Sequence, residues 1–227
     1  MKQEKTVFLD LEGVLAPEMW PYLGKKFGLD ALMATTREEP DYRHLMTRRV
    51  EALNAHGISM SAIQEAIATL PLFAGAVDFV RQLAREMSVI LVTDSFRPMN
   101  EPYIRQLQPD GVFCHSFLLD DRDRIVGFDF WNELRGKHEA ISAWGHHAAT
   151  TFAAGDAFND LSLLRAVDRG ILFRPSRATQ AAATDLLWVS TYEELLGLFM
   201  AEQEPAVIAH TAVPDGRGRF AEDNRRA

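Results

Sequence analysis

The stretch Val7-Phe8-Leu9-Asp10-Leu11-Glu12-Gly13 joins a short apolar run to an acidic turn. Such a run, ended by polar residues, is typical of a buried strand that opens into a loop. Similar apolar runs recur at residues 89–92, 151–154 and 170–173, and amphipathic helical stretches lie between most of them. Strands that alternate with helices predict an α/β fold, in which a doubly wound parallel sheet is covered by helices on both faces.

Two segments depart from this alternation. Residues 18–70 have helical periodicity alone, and their predicted inward stripe consists of Leu45, Val50, Leu53, Ile63 and Ile67. We therefore predict a helical cap at 17–72, inserted into a catalytic core of residues 1–16 and 73–202. Residues 118–128, interrupted by the charged residues 120–123, predict a hairpin with a solvated turn. No periodic apolar face survives in residues 203–227, which we interpret as a tail.

Composition excludes several classes of protein. A net charge of -8 and a pI near 5.4 argue against generic nucleic-acid binding, which needs surplus cations. Cys114 is the only cysteine, so an internal disulfide and a thiolate zinc site are excluded, and we expect Cys114 to be buried. The first five residues contain no long apolar run. We expect a cytoplasmic enzyme that does not bind membranes.

Acidic residues follow two of the predicted strands. Asp10 and Glu12 follow the first, whereas Asp156 and Asp160 lie in GDAFND, residues 155–160, after the strand at 151–154. Taken alone, a strand-end aspartate is more often a helix cap or turn residue. Four carboxylates that converge at one edge of a sheet repel one another unless a cation lies among them. A hard, oxygen-seeking ion such as Mg²⁺ meets that need.

Two further segments supply groups suited to phosphate. Lys137 precedes a predicted helix at 138–146, where a cation gains nothing from the helix dipole, so its position favours anion binding over a surface role. Thr93 ends the predicted strand at 89–92, and the following Asp94 and Ser95 would add free backbone N–H groups. With the carboxylates, these groups provide what phosphoryl transfer requires: a nucleophile, an acid/base, phosphate donors and a metal.

These segments resemble, in order, the four motifs of the haloacid dehalogenase-like phosphatases, which have a Rossmann-like core. The motifs are DLEGV at 10–14, Thr93, Lys137 and GDAFND at 155–160. The sequence more narrowly resembles the bacterial phosphoserine phosphatase / homoserine phosphotransferase family, over about residues 5–200. The stretches that carry this second resemblance are DLEGVLAPE at 10–18, ATTREEPDY at 34–42 and IQEAIATL at 63–70.

The resemblance implies roles for the residues of the first strand's turn and its partners. Asp10 would be the nucleophile, and its carboxylate would hold Mg²⁺ with Asp156 and the main-chain carbonyl of Glu12. Glu12 would be the general acid/base, a position at which most of the superfamily has aspartate but the narrower family has glutamate.

The resemblance also implies how the phosphoryl group and the metal waters are held. Thr93 and Lys137 would bind phosphoryl oxygens, while Asp160 and Asn159 would orient Lys137 and the waters. Of these assignments, Lys137 rests on the shortest motif, a single residue.

The resemblance assigns substrate recognition to two residues of the cap. Glu18 would contact the ammonium of phosphoserine and Arg49 its carboxylate, contacts that suit an amino acid. Without the family match, both residues would be read as an N-terminal helix glutamate and a surface arginine. The resemblance implies phosphoserine hydrolysis, with phosphoryl transfer to homoserine as a second activity, by a homodimeric enzyme.

Two alternatives stay open. The cap sets specificity, so the substrate can be another small phosphorylated metabolite. A non-catalytic relative that uses the cap as an interaction surface is disfavoured, because Asp10, Glu12, Lys137 and Asp156 are all present.

Overall fold

The computed structural model describes residues 5–36, 38–145 and 149–201. Its strands form one seven-stranded sheet in the order β4-β3-β2-β1-β5-β6-β7. Every neighbouring pair is parallel except β3 and β4. The strands are β1 Lys5–Leu9, β2 Ser88–Phe96, β3 Gly111–Leu119, β4 Ile125–Asp129, β5 Thr150–Gly155, β6 Arg169–Phe173 and β7 Leu187–Val189. The predicted α/β fold with a doubly wound core is confirmed.

Helices cover both faces of this sheet. Val7 and Leu9 of β1 point into one apolar cluster and Phe8 points into another on the opposite face. This alternation explains why the three residues form a continuous apolar run. The helices are α1 Met19–Phe27, α2 Tyr42–Ala55, α3 Met60–Ala68, α4 Ala76–Glu86, α5 Arg97–Leu107, α6 Glu139–Trp144, α7 Leu161–Leu164, α8 Arg177–Ala182 and α9 Tyr192–Met200, with short 3₁₀ turns at Asp30–Leu32 and Phe158–Asp160.

Among the described residues between β1 and α4, helices are the regular elements, joined by loops. Its predicted inward stripe is buried in the larger apolar cluster: Leu45, Val50, Leu53, Ile63 and Ile67. We propose that residues 17–72 act as the cap of a core formed by 1–16 and 73–202, and the word cap denotes this segment below. The predicted tail at 203–227 lies outside the described residues.

The predicted hairpin is formed by β3 and β4, but its turn is not simply solvated. The main-chain carbonyl of Asp123 accepts a hydrogen bond from the amide of Met60 at 2.9 Å, and its Oδ2 accepts one from Ser61 at 2.7 Å. Asp123 therefore contacts the cap, although the turn is largely exposed, as predicted. The reason is that the first amides of a helix, here α3, have no partner within the helix and attract a nearby carboxylate.

Strand β2 runs four residues beyond its predicted end. Val92 pairs with Phe113 and Phe96 pairs with His115, so residues 93–95 lie opposite Cys114 alone. Such extra residues form a bulge, a device that often re-aims side chains beside active sites. Cys114 is buried, as predicted.

Candidate active site

The carboxyl ends of β1 and β5 lie side by side at the centre of the sheet. Leu9 pairs with Ala154, and the amide of Asp10 donates to the Ala154 carbonyl at 3.0 Å. One carboxylate oxygen from each of Asp10, Asp156 and Asp160 lies within 4.8 Å of the others. Three of the four carboxylates predicted to converge therefore do so, and Glu12 is not part of this group.

Lys137 is buried between two of these carboxylates. Its Nζ lies 2.8 Å from Oδ1 of Asp10 and 2.6 Å from Oδ1 of Asp160, and only 1% of its side chain is exposed. Burial lowers the pKa of Lys137, but the charges of Asp10 and Asp160 more than offset this and raise it well above its usual value. The ammonium is thus a fixed positive charge at the carboxyl ends of the central strands. Lys137 lies two residues before α6.

Asp160 has little capacity left for any other partner. Its Oδ1 binds Lys137, while its Oδ2 accepts hydrogen bonds from the amides of Asp156 at 2.9 Å and Ala157 at 3.0 Å. The side chain is fully buried. These contacts suit the expected role of orienting Lys137 and make Asp160 a poor metal ligand despite its proximity.

Asp10 and Asp156 keep oxygens that can bind a cation. Asp10 Oδ1 contacts Lys137 and accepts from the Leu11 amide at 2.8 Å, which leaves Oδ2 for another ligand. Burial, followed by the charge of Asp160, raises the pKa of Asp10 well above its usual value and that of Asp156 to about 7. Three crowded carboxylates around one ammonium leave an excess of negative charge that a divalent cation would relieve. The oxygen donors fit Mg²⁺.

Gly13 allows this crowding. Its φ of +84° lies in the left-handed region, and a Cβ there would be 2.3 Å from the carboxyl carbon of Asp156. Any side chain at this position would therefore displace Asp156. The sequence DLEGV needs glycine at its fourth position for both reasons.

Glu12 links the acidic turn to the first helix of the cap. Its Oε1 accepts a hydrogen bond from the amide of Met19 at 2.6 Å. Burial and then the negative charge of Glu18 raise the pKa of Glu12 to about 8. A carboxyl group with such a pKa can give and take a proton near neutral pH, which is what a general acid/base requires.

Thr93 lies in the β2 bulge and is almost fully buried. Its Oγ1 accepts a hydrogen bond from the Ser95 amide at 3.2 Å. The amide of Ser95 is thus used inside the bulge, and the prediction that it is free for phosphate is wrong. The Thr93 hydroxyl keeps a proton that it can donate.

Asn159 does not contact Lys137. Its Nδ2 donates to Oδ2 of Asp94 at 2.7 Å, from an exposed position in the 3₁₀ turn that follows β5. The turn directs Asp160 inward to Lys137 and Asn159 across to β2. The expected role of Asn159 in orienting Lys137 and the metal waters stays a prediction. The sequence analysis assigned only the backbone N–H of Asp94 to the site and did not predict a contact for its carboxylate.

Arg49 is buried in the cap with an incomplete set of partners. Its Nη2 donates to the Ala34 carbonyl at 2.6 Å, and its guanidinium lies 4.6 Å from the centre of the Trp20 ring. Its Nε has no hydrogen-bond partner, and no carboxylate among the described residues lies within salt-bridge distance. Burial lowers the pKa of Arg49 to about 10, so it stays charged at neutral pH. A buried cation without a carboxylate suits an anionic ligand.

Glu18 precedes α1 and is exposed. Its side chain makes no capping hydrogen bond with the helix, and its place at the helix N-terminus also fits the alternative of a glutamate that interacts with the helix dipole. The electrostatic interaction of Glu18 with Arg49 places the two charges in one region of the cap. Their use in substrate recognition remains a proposal.

The model of the family described as haloacid dehalogenase-like hydrolase matches residues 7–165, which include every motif discussed above. The chain belongs to this family. It is 39% identical over 192 residues to phosphoserine phosphatase ThrH of Pseudomonas aeruginosa, covering 85% of this chain and 93% of that protein. It is also 36% identical over 187 residues to a phosphoserine phosphatase of Pseudomonas syringae pv. tomato, covering 82% and 78%.

Solved structures support the fold of this hydrolase. One, described as a phospho-aspartyl intermediate analogue of phosphoserine phosphatase, has a TM-score of 0.71 at 17% identity and covers 86% of this chain and 98% of its own. An apo phosphoserine phosphatase has a TM-score of 0.71 at 16% identity, with coverage of 88% and 100%. At these identities the likeness shows the shared fold alone.

Proposed function

We propose that this hydrolase is a phosphoserine phosphatase, which converts O-phospho-L-serine to L-serine and phosphate through a phosphoaspartate at Asp10. The observation that carries the chemistry is the buried Lys137 held between Asp10 and Asp160, beside the uncompensated carboxylate of Asp156. The substrate is supported by the two relatives named phosphoserine phosphatase and by the buried Arg49.

Asp10 and Glu12 would divide the reaction into two steps. In the first, a carboxylate oxygen of Asp10 bonds to phosphorus as the serine oxygen leaves and takes a proton from Glu12. In the second, Glu12 takes a proton from water, the water oxygen bonds to phosphorus, and the bond to Asp10 breaks to release phosphate. Two displacements at one phosphorus need the same acid/base on one side of the site, and Glu12 is fixed there by the Met19 amide.

Positive charge in the site would stabilise the transferring group. Lys137 and the Thr93 hydroxyl would bind the phosphoryl oxygens, while Asp160 holds Lys137 in place. When bound, Mg²⁺ held by Asp10, Asp156 and the Glu12 carbonyl would supply further charge to offset that of the phosphoryl oxygens.

The cap would read the amino acid. Arg49 can pair with the α-carboxylate through guanidinium N–H groups, and Nε lacks a partner in the structure. Glu18 would accept the ammonium. A phosphorylated metabolite without these two groups would leave Arg49 buried without a salt-bridge partner, which costs binding energy.

One assay tests this function against the alternative substrate class. Phosphate release is measured for phosphoserine, phosphothreonine, sugar phosphates and p-nitrophenyl phosphate, with Mg²⁺ and with chelator. We expect phosphoserine to have the highest kcat/KM and chelation to stop release from every substrate. A sugar phosphate with a higher kcat/KM would replace the proposed substrate, and release unaffected by chelator would remove the metal from the mechanism.

The transferase activity with homoserine remains a further part of this proposal. Homoserine carries the ammonium and carboxylate of serine with one more methylene, so Glu18 and Arg49 can hold it with its hydroxyl toward the phosphoaspartate. An acceptor held in line has a large effective concentration relative to its bulk value. Phosphorus NMR of enzyme with phosphoserine and increasing homoserine should show phosphohomoserine. Its absence during undiminished phosphate release would leave hydrolysis alone.

Homodimer formation and cytoplasmic location also remain predictions. Within the described residues, no helix has the length and apolar character needed to cross a bilayer. Sedimentation equilibrium of the purified chain tests the dimer.

A further inference from the structure

The β2 bulge is contacted by two other parts of the chain through its middle residue, Asp94. The hydroxyl of Tyr42, in the cap, donates to the main-chain carbonyl of Asp94. Asn159, in the turn after β5, donates to Oδ2 at 2.7 Å. Oδ1 lies 3.9 Å from Nε2 of His115 on β3, too far for a hydrogen bond. Asp94 therefore joins the cap and the acidic turn directly beside Thr93.

The bulge explains why the Asp94 carbonyl needs an outside donor. Residues 93–95 lie opposite one residue of β3, so the regular ladder is interrupted there. A main-chain carbonyl that loses its ladder partner needs another donor when it is shielded from water. The hydroxyl of Tyr42 supplies one from the cap.

The ring of Tyr42 is fixed against the core. Its centre lies 5.9 Å from that of His115 and 5.8 Å from that of Phe130, both in tilted contacts. Burial raises the pKa of the Tyr42 hydroxyl well above its usual value, so it keeps the proton that it donates. The side chain thus crosses from the cap to the core in one defined orientation.

Tyr42 and Arg49 lie on the same helix, α2, seven residues apart. This separation is close to two turns, so both residues lie on the same face of α2. Arg49 would bind the amino-acid end of the substrate, while Tyr42 contacts the bulge at the phosphoryl end. A movement of α2 that changes the position of Arg49 therefore also changes the contact of Tyr42 with the bulge.

We propose that Tyr42 is a positioning residue, through which the geometry of the β2 bulge, and so of Thr93, depends on the contact between the cap and the core. This inference rests on the proposed phosphoryl-transfer function of the site. Removal of the hydroxyl leaves the Asp94 carbonyl without its donor from the cap, and the bulge that aims Thr93 relaxes. The loss acts on the phosphoryl end and is therefore shared by every phosphomonoester, with or without an amino-acid group.

The test compares Tyr42→Phe with Tyr22→Phe. Tyr22 also lies in the cap, but its hydroxyl bonds within the cap, to Oγ1 of Thr69 at 2.7 Å. Each variant loses one hydroxyl and keeps its ring. We expect Tyr42→Phe to lower kcat for phosphoserine and for p-nitrophenyl phosphate by roughly 5- to 30-fold, the scale of one lost hydrogen bond to a positioned group. Tyr22→Phe should stay within about twofold of the wild type.

A second measurement reads the bulge without substrate or metal. Hydrogen exchange followed by mass spectrometry should show faster exchange over residues 93–96 in Tyr42→Phe than in Tyr22→Phe, with thermal unfolding confirming that both are folded. The proposal is overturned if the two variants match either in kcat on p-nitrophenyl phosphate or in exchange over this peptide. Neither of these two readouts depends on phosphoserine, so failure of the wild type to hydrolyse phosphoserine would reject the proposed substrate separately.

Discussion

The two ends of the candidate site differ in how their charges are satisfied. At the core end, Lys137 is held between Asp10 and Asp160, and Asp160 is itself held by two amides. At the cap end, Arg49 has a carbonyl and an aromatic ring as partners but no carboxylate among the described residues. The groups for phosphoryl chemistry are thus positioned in advance, whereas the group proposed to read the substrate still lacks its counterion.

This difference separates chemistry from specificity. Groups fixed by the ends of parallel strands are held to the geometry of the sheet, which all members of such a fold share. The cap residues lie on helices outside the sheet, so their exposed and site-facing side chains can differ in identity without changing the strands. Substitutions in the core should therefore affect all phosphomonoesters alike, while those at Arg49 should affect only substrates with a carboxylate.

The largest effect is expected for Asp10→Asn. The amide cannot act as the nucleophile, and it removes the charge that pairs with Lys137. We expect kcat to fall by roughly 10⁴-fold or more for phosphoserine and p-nitrophenyl phosphate alike, as for other nucleophile losses. Asp78→Asn, on the exposed face of α4, is the control and should keep full activity. Wild-type phosphate release by Asp10→Asn would reject the phosphoaspartate.

Glu12→Gln should have the next largest effect. The amide keeps the shape of the side chain and can still accept from the Met19 amide, but it cannot transfer a proton. We expect kcat to fall by ~10²- to 10⁴-fold with both substrates. Acid quench with ³²P-labelled substrate should trap more phosphoenzyme than in the wild type, because hydrolysis of the intermediate also needs the base. An unchanged rate would move the acid/base role to another group.

Arg49→Ala should distinguish the two ends. We expect kcat/KM for phosphoserine to fall by a factor that corresponds to a loss of about 1.5 to 3 kcal/mol of transition-state stabilisation, the range for a hydrogen bond to a charged group. The kcat/KM for p-nitrophenyl phosphate should be unaffected. Arg48→Ala is the matched control, since Arg48 is the exposed neighbour on the same helix. Equal losses on both substrates would show that Arg49 supports the cap and does not read the amino acid.

The sequence predicted the positions of the carboxylates better than the contacts that join β2 to the rest of the site. Asp10, Asp156 and Asp160 were predictable because each follows a short apolar strand, and parallel strands bring their carboxyl ends together. The β2 bulge could not be predicted, because the pattern of residues 93–95 is compatible with either a strand or a loop. Only the pairing with β3 shows that these residues exceed the number on the opposite strand. The partner of Asn159 depends on that bulge, so its contact with Asp94 was missed for the same reason.

The cap was predicted as a helical segment from periodicity, but its attachment to the core was not. Tyr42 and Asp123 contact residues 52 and 62 positions away in the chain, and no local pattern encodes such distances. A charged turn between two strands usually faces solvent, and Asp120 and its neighbours fit that reading. Asp123 differs because the first amides of α3 happen to lie opposite it.

The smallest expected effect is that of Asp123→Ala, which tests whether specificity depends on how the cap is docked. Loss of the carboxylate frees the Ser61 amide, at a cost of about 0.5 to 1 kcal/mol in the free energy of unfolding, as for a helix cap. Hydrogen bonds from the Ser61 side chain and amide lower the pKa of Asp123 below its usual value. A lowered pKa in the folded state means that the stabilisation is present at neutral pH and is lost as the pH falls through that pKa. The difference between wild type and Asp123→Ala in the free energy of unfolding, measured in urea, should therefore shrink in acid, and Asp121→Ala in the same turn should show no such difference.

Asp123→Ala should also leave specificity unchanged. Because Asp123 contacts the cap far from Arg49 in the chain, the ratio of kcat/KM for phosphoserine to that for p-nitrophenyl phosphate should stay at the wild-type value. A changed ratio would mean that the seat of the cap, and not Arg49 alone, sets the preference for an amino acid.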